Sequence, residues 1–346
     1  MKVGKLSNEQ LTELVLKKLP ALSSDTLVGA DIGADCAWIN MGDRLMVTSS
    51  DPITAGGLQS GTLTVHVSCN DIAACGVRPS GILIVIIAPV SATEEDLSLI
   101  VSQASSEASR LGVDIVGGHT EVSESVNTFV VNSTAFGVIT RDHPVPLGKV
   151  RAGDKLIMTK TCGIEGSFIA ATEHRARLEG LGVYASYLDE ASAYNELISV
   201  VPEGAAAGEV PAADGSLNDI GFINGAVSLM HDITEGGVLG AAYEMACYSG
   251  VGVKVDERAI PITEATSSIC RALDIDPFRL ISSGSLLIAC APESADAVLA
   301  SIENAGVRST VIGEFVPAAV GYRVIDVGTG EESELQPPRA DEIYKL

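Results

Sequence analysis

The segment His231-Asp232-Ile233-Thr234-Glu235-Gly236-Gly237 sets two carboxylates, a hydroxyl and a glycine pair directly before an apolar run. Val238, Leu239, Ala242 and Met245 recur at helical spacing, and Gly250 is placed to end the helix they define. The start of a helix has unpaired N–H groups and the positive end of its dipole, which suit phosphate. Carboxylates in the same place need a cation between them and an anionic ligand, and Mg²⁺ carrying a nucleotide reconciles the two. The same residues also fit an ordinary helix start, with Thr234 as N-cap and Glu235 complementing the dipole.

Four other short segments have related chemistry: Gly33-Ala34-Asp35-Cys36-Ala37, Thr48-Ser49-Ser50-Asp51-Pro52, Asn70-Asp71 and Gly117-Gly118-His119-Thr120. Each is weak alone. Together they point to hard oxygen ligands holding Mg²⁺ against phosphates. Asp71 shares a helix face with Leu63, Val67 and Ala74, where a carboxylate is costly unless paired or metal-bound; an Asn-Asp pair near a fraying helix end is the alternative. Gly117 and Gly118 let backbone N–H groups approach phosphate or simply make a tight turn. His119 follows two glycines and is a candidate for a direct role, although a lone histidine is more often structural; His66 and His143 read as ordinary helix and turn residues.

These segments need elements to hold them. Ser7 and Gln10 form a capping box before a stripe of Leu11, Leu14, Val15 and Leu19. Leu45 and Val47 mark a strand that runs out at 48–51. A helix from about Gly61 to Ala74 is closed by Gly76 and Pro79, and Ile82–Ala88 reads as a buried strand. Thr93 and Asp96 cap a helix to Leu111, with Gly112 beyond it. A short strand over 114–116 leads into the Gly117-Gly118 loop, and a long alternating strand spans about 127–139. The turn-rich stretch 141–153 is the expected boundary between domains at 1–150 and 151–346. In the second half, strands are expected at 155–159, 252–256, 285–290 and 309–315. Helices are expected at about 166–179, 187–200, 263–273 and 293–305, besides the one after Thr234, and Pro202–Leu217 reads as a loop. Strands and helices alternate in short units, which implies α+β layering.

Composition narrows the function. The 346 residues are 46% apolar but only 4% aromatic, so the core is built from Ala, Val, Ile and Leu. A net charge of −23 opposes sequence-independent nucleic-acid binding. The seven cysteines are scattered among apolar or small neighbours without a Cys-x-x-Cys pair, which fits buried thiols in a reducing compartment and opposes a zinc site. The longest apolar run, Ile82 to Val90, is far short of the roughly 20 residues of a membrane helix. No signal peptide is evident, and a soluble, cytoplasmic protein with neither nucleic-acid nor membrane partner is expected. No P-loop, Gly-x-Ser-x-Gly elbow or dinucleotide-binding fingerprint is present.

In order, GADCA at 33–37, TSSDP at 48–52, NDIAACGVRP at 70–79, GGHTE at 117–121 and HDITEGG at 231–237 resemble the aminoimidazole ribonucleotide (AIR) synthase superfamily, in its HypE-like, AIR synthase-related branch. The resemblance covers about residues 5–340. It implies a PurM-like two-domain α+β architecture: an N-terminal mixed-sheet domain that pairs with a second subunit as a dimeric β-barrel, and a C-terminal ferredoxin-like α/β plait. It further implies a homodimer that binds ATP and Mg²⁺ and phosphorylates a carbonyl or amide-type oxygen. The acceptor would be a small molecule or peptide end. By matching motif positions, Asp35, Asp51, Asp71 and Asp232 resemble the metal–phosphate carboxylates, and Asn70, Gly118 and Thr120 the phosphate-loop contacts. Gly117 and Glu235 complete the expected nucleotide set, with His119 and Asp232 as catalytic candidates. The HypE pattern ends in Pro-Arg-x-Cys, whereas here Pro338-Arg339-Ala340-Asp341 runs on to Leu346 without cysteine. The alternative is therefore a HypE-like maturation factor that binds a partner protein but lacks the carrier thiol.

Overall fold

The computed structural model describes residues 6, 8–31, 36–54, 57–338 and 340–346. Ser7, Gly33-Ala34-Asp35 and Arg339 lie outside them. The chain forms two compact units, Met1–Ile72 with Pro79–Thr140, and Ala73–Arg78 with Arg141–Leu346.

In the first unit, α1 (Asn8–Leu14) leaves Leu14, Val15 and Leu19 of its apolar stripe exposed. There follow β1 (Thr26–Val28), β2 (Ala37–Asn40), β3 (Arg44–Ile53), α2 (Ser60–Ala74), β4 (Gly81–Pro89), α3 (Glu94–Leu111), β5 (Asp114–Ser123) and β6 (Val130–Thr140). The strands form one mixed sheet in the order β1-β2-β3-β6-β4-β5, with β4 and β5 parallel and the other neighbours antiparallel. Local rules explain α3 well. Thr93 Oγ1 accepts from the Asp96 N–H at 3.1 Å, the Asp96 carboxylate accepts from the Thr93 N–H at 2.9 Å, and Gly112 ends the helix in the left-handed region.

Two expectations in this unit are corrected. The strand at 45–47 does not run out at Thr48: β3 stays paired with β6 as far as Ile53 opposite Val131. The hydroxyls there bond across the strands, Thr48 Oγ1 to the Ala135 carbonyl at 2.9 Å and Ser50 Oγ to Thr134 Oγ1 at 2.8 Å. Likewise Gly117-Gly118-His119-Thr120 is no loop but the middle of β5, in register with Leu83-Ile84-Val85-Ile86 of β4. Gly118 has φ +154°, and a Cβ there would overlap the Ile84 carbonyl oxygen. The glycine thus allows a close strand approach that any side chain would block.

The second unit contains β7 (Lys155–Thr159), α4 (Ile164–Glu173), α5 (Arg175–Gly180), α6 (Ala185–Ser192), α7 (Val201–Gly208), β8 (Val227–Asp232), α8 (Gly237–Ser249), β9 (Gly252–Asp256), α9 (Glu264–Leu273), β10 (Leu286–Cys290), α10 (Ala295–Asn304), β11 (Ser309–Val316), β12 (Tyr322–Ile325) and β13 (Glu332–Glu334). Its mixed sheet has the order β13-β12-β9-β11-β7-β10-β8, with β9 and β12 parallel. The α8 stripe of Val238, Leu239, Ala242 and Met245 is buried in one cluster with Leu156, Met158, Leu287 and Ala289 of the sheet. A second cluster joins α4, α5, α6 and α9 through Ile164, Leu178, Leu188 and Ile269.

The expected loop at 202–217 is corrected in its first part, because 201–208 is a buried helix. Pro202 suits a first helical turn, and the small residues that resembled a linker let the backbone approach closely. A Cβ on Gly204 would overlap the Ala73 carbonyl, and one on Gly208 the backbone of Gly76. No helix among the described residues is long and apolar enough to cross a membrane.

Candidate functional site

Strand periodicity places Leu45, Val47, Ser49 and Asp51 on one face of β3. The first three are buried and Asp51 is half-buried. Across from them, on α2, Asp71 is half-buried, as are Leu63 and Val67, while Asn70 is buried. The face expected to be apolar and closed is thus partly open at Asp71. Ser49 Oγ donates to Asp71 Oδ2 at 2.7 Å and lies 3.4 Å from Asp51 Oδ2. A hydroxyl has one proton, so the nearer carboxylate takes it, and two carboxylates share one neutral neighbour. No set of three His, Cys, Asp or Glu groups converges on a metal position among the described residues. Mg²⁺ commonly takes only one or two carboxylates and completes its shell with water and phosphate oxygens, so Asp51 and Asp71 fit that ion.

The β5 candidates stand elsewhere. Gly117, Gly118, His119 and Thr120 are exposed on the edge strand, with β6 and β4 between it and β3. His119 Nε2 lies 3.2 Å from Glu121 Oε2, and its side chain is 63% exposed. Asp35 lies outside the described residues.

In the second unit, Asp232 is the buried last residue of β8. Gly236 and Gly237 follow with φ of +90° and +63°, and a Cβ on Gly237 would crowd the Phe278 carbonyl oxygen at 2.6 Å. Thr234 is not the N-cap of α8. Gly236 is, with no side-chain cap of its own, and its N–H is taken by Asp341 Oδ2 at 2.7 Å. A glycine cap leaves the first amides of the helix to a partner from elsewhere in the chain. Glu235 accepts from the Tyr344 hydroxyl at 3.2 Å.

Three contributors were missed in the sequence. Ser49 sits two residues before Asp51, the strand period that puts both on one face. Glu165, in the first turn of α4, reads locally as a dipole-complementing acid. Burial holds its carboxyl above the usual range; a Ser283 hydrogen bond opposes this, and the charges of Asp341, Asp232 and Glu235 add to it. Asp341 itself is 2% exposed, raised by burial and lowered by three backbone N–H bonds. The Cys69, Cys270 and Cys290 thiols are pushed up to about 12 by burial, so they are inert at neutral pH.

Residues 33–139 match the N-terminal domain of AIR synthase related protein, and residues 151–326 match its C-terminal domain. The chain is 27% identical over 321 residues to the hydrogenase expression/formation protein HupE of Azotobacter chroococcum, covering 87% of each. It is 27% identical over 309 residues to carbamoyl dehydratase HypE of Rhizobium leguminosarum, covering 84% of this chain and 82% of that one. The crystal structure of hydrogenase maturation protein HypE in complex with ATP has the same fold, with a TM-score of 0.68 and 21% identity over 99% of this chain and 97% of that one.

Proposed function

The chain belongs to the AIR synthase-related family, HypE-like branch, and from that premise we propose that it is an ATP-dependent enzyme that transfers a phosphoryl group to a carbonyl or amide-type oxygen. The observation that carries this reading is the pair of carboxylates, Asp51 and Asp71, gathered around Ser49. Mg²⁺ held there would neutralise the triphosphate, since phosphoryl transfer depends on positioning and charge more than on covalent chemistry. Asp35 and Asp232 are assigned to the same task by their motifs. Asn70, Gly117, Gly118, Thr120 and Glu235 are assigned to the nucleotide, and His119 and Asp232 to the reacting groups. Phosphorylating an amide oxygen turns it into a leaving group, and loss of phosphate with a nitrogen-bound proton completes a dehydration. A carbamoyl-type acceptor is therefore the favoured substrate, supported by the relative named carbamoyl dehydratase. We take the acceptor to be a small molecule or peptide end.

Thermal unfolding with Mg-ATP, with ATP plus EDTA, and with other nucleotides tests the proposal. At about 100 times its Kd, Mg-ATP adds roughly 2.7 kcal/mol, a shift of a few degrees that EDTA removes. If no nucleotide shifts the melting curve, the alternative gains: a maturation factor that binds a partner protein, in keeping with the relative named for hydrogenase expression and formation.

We also propose that the working form is a homodimer. Nearly all of β5 is exposed, including Ile115, Val116 and Val122, and Leu83 and Val138 are exposed on the same sheet. An apolar edge strand left open is an aggregation hazard unless another chain covers it. A second copy is the proposed cover. Sedimentation at micromolar protein should give a dimer, and Val122→Lys should shift it to monomer. A wild-type chain sedimenting as a monomer would exclude this cover.

A further inference from the structure

Lys160 directly follows β7 with φ +53°, in the left-handed region that a residue with a side chain seldom occupies. Its Nζ lies 2.6 Å from Glu203 Oε1 and donates to the carbonyls of Leu197, Ser199 and Gly284 at 3.1, 2.6 and 2.7 Å. An ammonium has three protons. The four oxygens around this one outnumber the hydrogen bonds it can direct at them, and such a shell suits a spherical charge. Rings of backbone carbonyls are what replace the hydration shell of K⁺ in selective sites.

The oxygens belong to fixed parts of the second unit. Leu197 ends a short 3-10 helix (Tyr194–Leu197), and Ser199 lies just beyond it, where carbonyls lack a partner within the helix. Gly284 has φ +108°, and a Cβ there would stand 2.5 Å from the Leu197 carbonyl oxygen, so only glycine brings its backbone this close. Glu203 is fully buried, and its Oε2 has no hydrogen-bond partner among the described residues. A buried carboxylate needs a cation beside it, and among those residues Lys160 is the one that Glu203 has. The Lys160 side chain is 14% exposed, so the channel it fills leads to solvent.

We propose that Glu203 and the carbonyls of Leu197, Ser199 and Gly284 form a monovalent-cation site of ammonium or potassium size, in which the Lys160 ammonium is a tethered occupant. The cation also sets the turn at 282–285. Ser285 Oγ donates to the Thr161 carbonyl at 2.6 Å, and the Ser285 carbonyl accepts from the Ile233 N–H at 2.9 Å, next to Asp232. Holding the Gly284 carbonyl therefore holds the turn against the end of β8. Nothing in this depends on a bound nucleotide.

Thermal unfolding of the full chain in sodium, potassium, ammonium and tetramethylammonium chloride, at one ionic strength, tests this. The wild-type chain, its site filled, gives the general effect of each salt. Lys160→Gly removes the tether without backbone strain, since glycine accepts φ +53°. In tetramethylammonium, which is too large for the site, it should melt about 10 °C below wild type. Ammonium or potassium at about ten times its Kd should restore about 4 °C of this, and the effect should saturate. Hydrogen exchange in a peptide spanning 281–286 should quicken about tenfold in Lys160→Gly and slow again with the ion. Lys160→Met, whose uncharged stem fills the channel, should show no ion response, and neither should Lys160→Gly combined with Glu203→Gln. If Lys160→Gly follows the wild-type chain from salt to salt, or if Lys160→Met responds equally, the site is overturned. Should Lys160→Gly be unfolded in tetramethylammonium, refolding on transfer to ammonium or potassium becomes the readout, and failure to refold in either overturns the site.

Discussion

Asp71→Asn should lower Mg-ATP turnover by about 100-fold or more while leaving the fold intact, the loss expected when a group that stabilises transition-state charge is removed. The substitution keeps the side chain's shape and its hydrogen bond from Ser49, but removes one of the two charges that would hold the cation. Melting temperature should move little, because Asp71 is half-buried and asparagine keeps its volume. Raising Mg²⁺ should recover part of the activity if the defect is in metal affinity. Asp232→Asn examines the second unit in the same assay. Wild-type turnover in Asp71→Asn would falsify the proposed site.

The second large effect is on stability. Lys160→Met should destabilise the second unit by about 3–5 kcal/mol, the cost of leaving a buried charge without its partner. Lys160 Nζ lies 2.6 Å from Glu203 Oε1, and Glu203 is fully buried on α7. The ammonium also donates to the carbonyls of Leu197, Ser199 and Gly284, at 3.1, 2.6 and 2.7 Å. One side chain thus ties together the end of β7, the residues that lead into α7, and the turn before β10. Its own backbone sits in the left-handed region at φ +53°, which the surrounding contacts must hold. Thr159 Oγ1 adds a bond to the same carboxylate oxygen at 3.2 Å. For a unit of this size the melting temperature should fall by about 10 °C. Lys160→Met combined with Glu203→Gln should recover much of that loss, since the uncompensated charge is gone. A melting curve unchanged by Lys160→Met, or a double variant weaker than the sum of its parts, would show that the ion pair does not brace this unit.

Much of the fold was legible without coordinates. The α3 helix is written in its own capping box and terminal glycine, and α8 in its apolar stripe and Gly250. The ordered acidic motifs pointed to the family and to its two-domain α+β architecture. Errors arose where composition stood in for context. Glycine and alanine at 201–208 looked like a linker because the neighbouring backbone that needs small residues is more than a hundred positions away. Gly117-Gly118 looked like a loop because the parallel partner strand that holds it, β4, is not visible in a local window.

What the sequence determined by itself was local: which stretches are helical, where they are capped, and which residue types are available for phosphate and metal. These depend on spacings of two to four residues, within reach of a single turn or strand repeat. Tertiary structure alone decided which of those residues meet. Ser49 joins Asp71 across 22 positions, and Asp341 reaches the start of α8 across 105. Such contacts depend on the order of strands in a sheet and on how a chain returns over it, and no short-range rule of spacing contains that information.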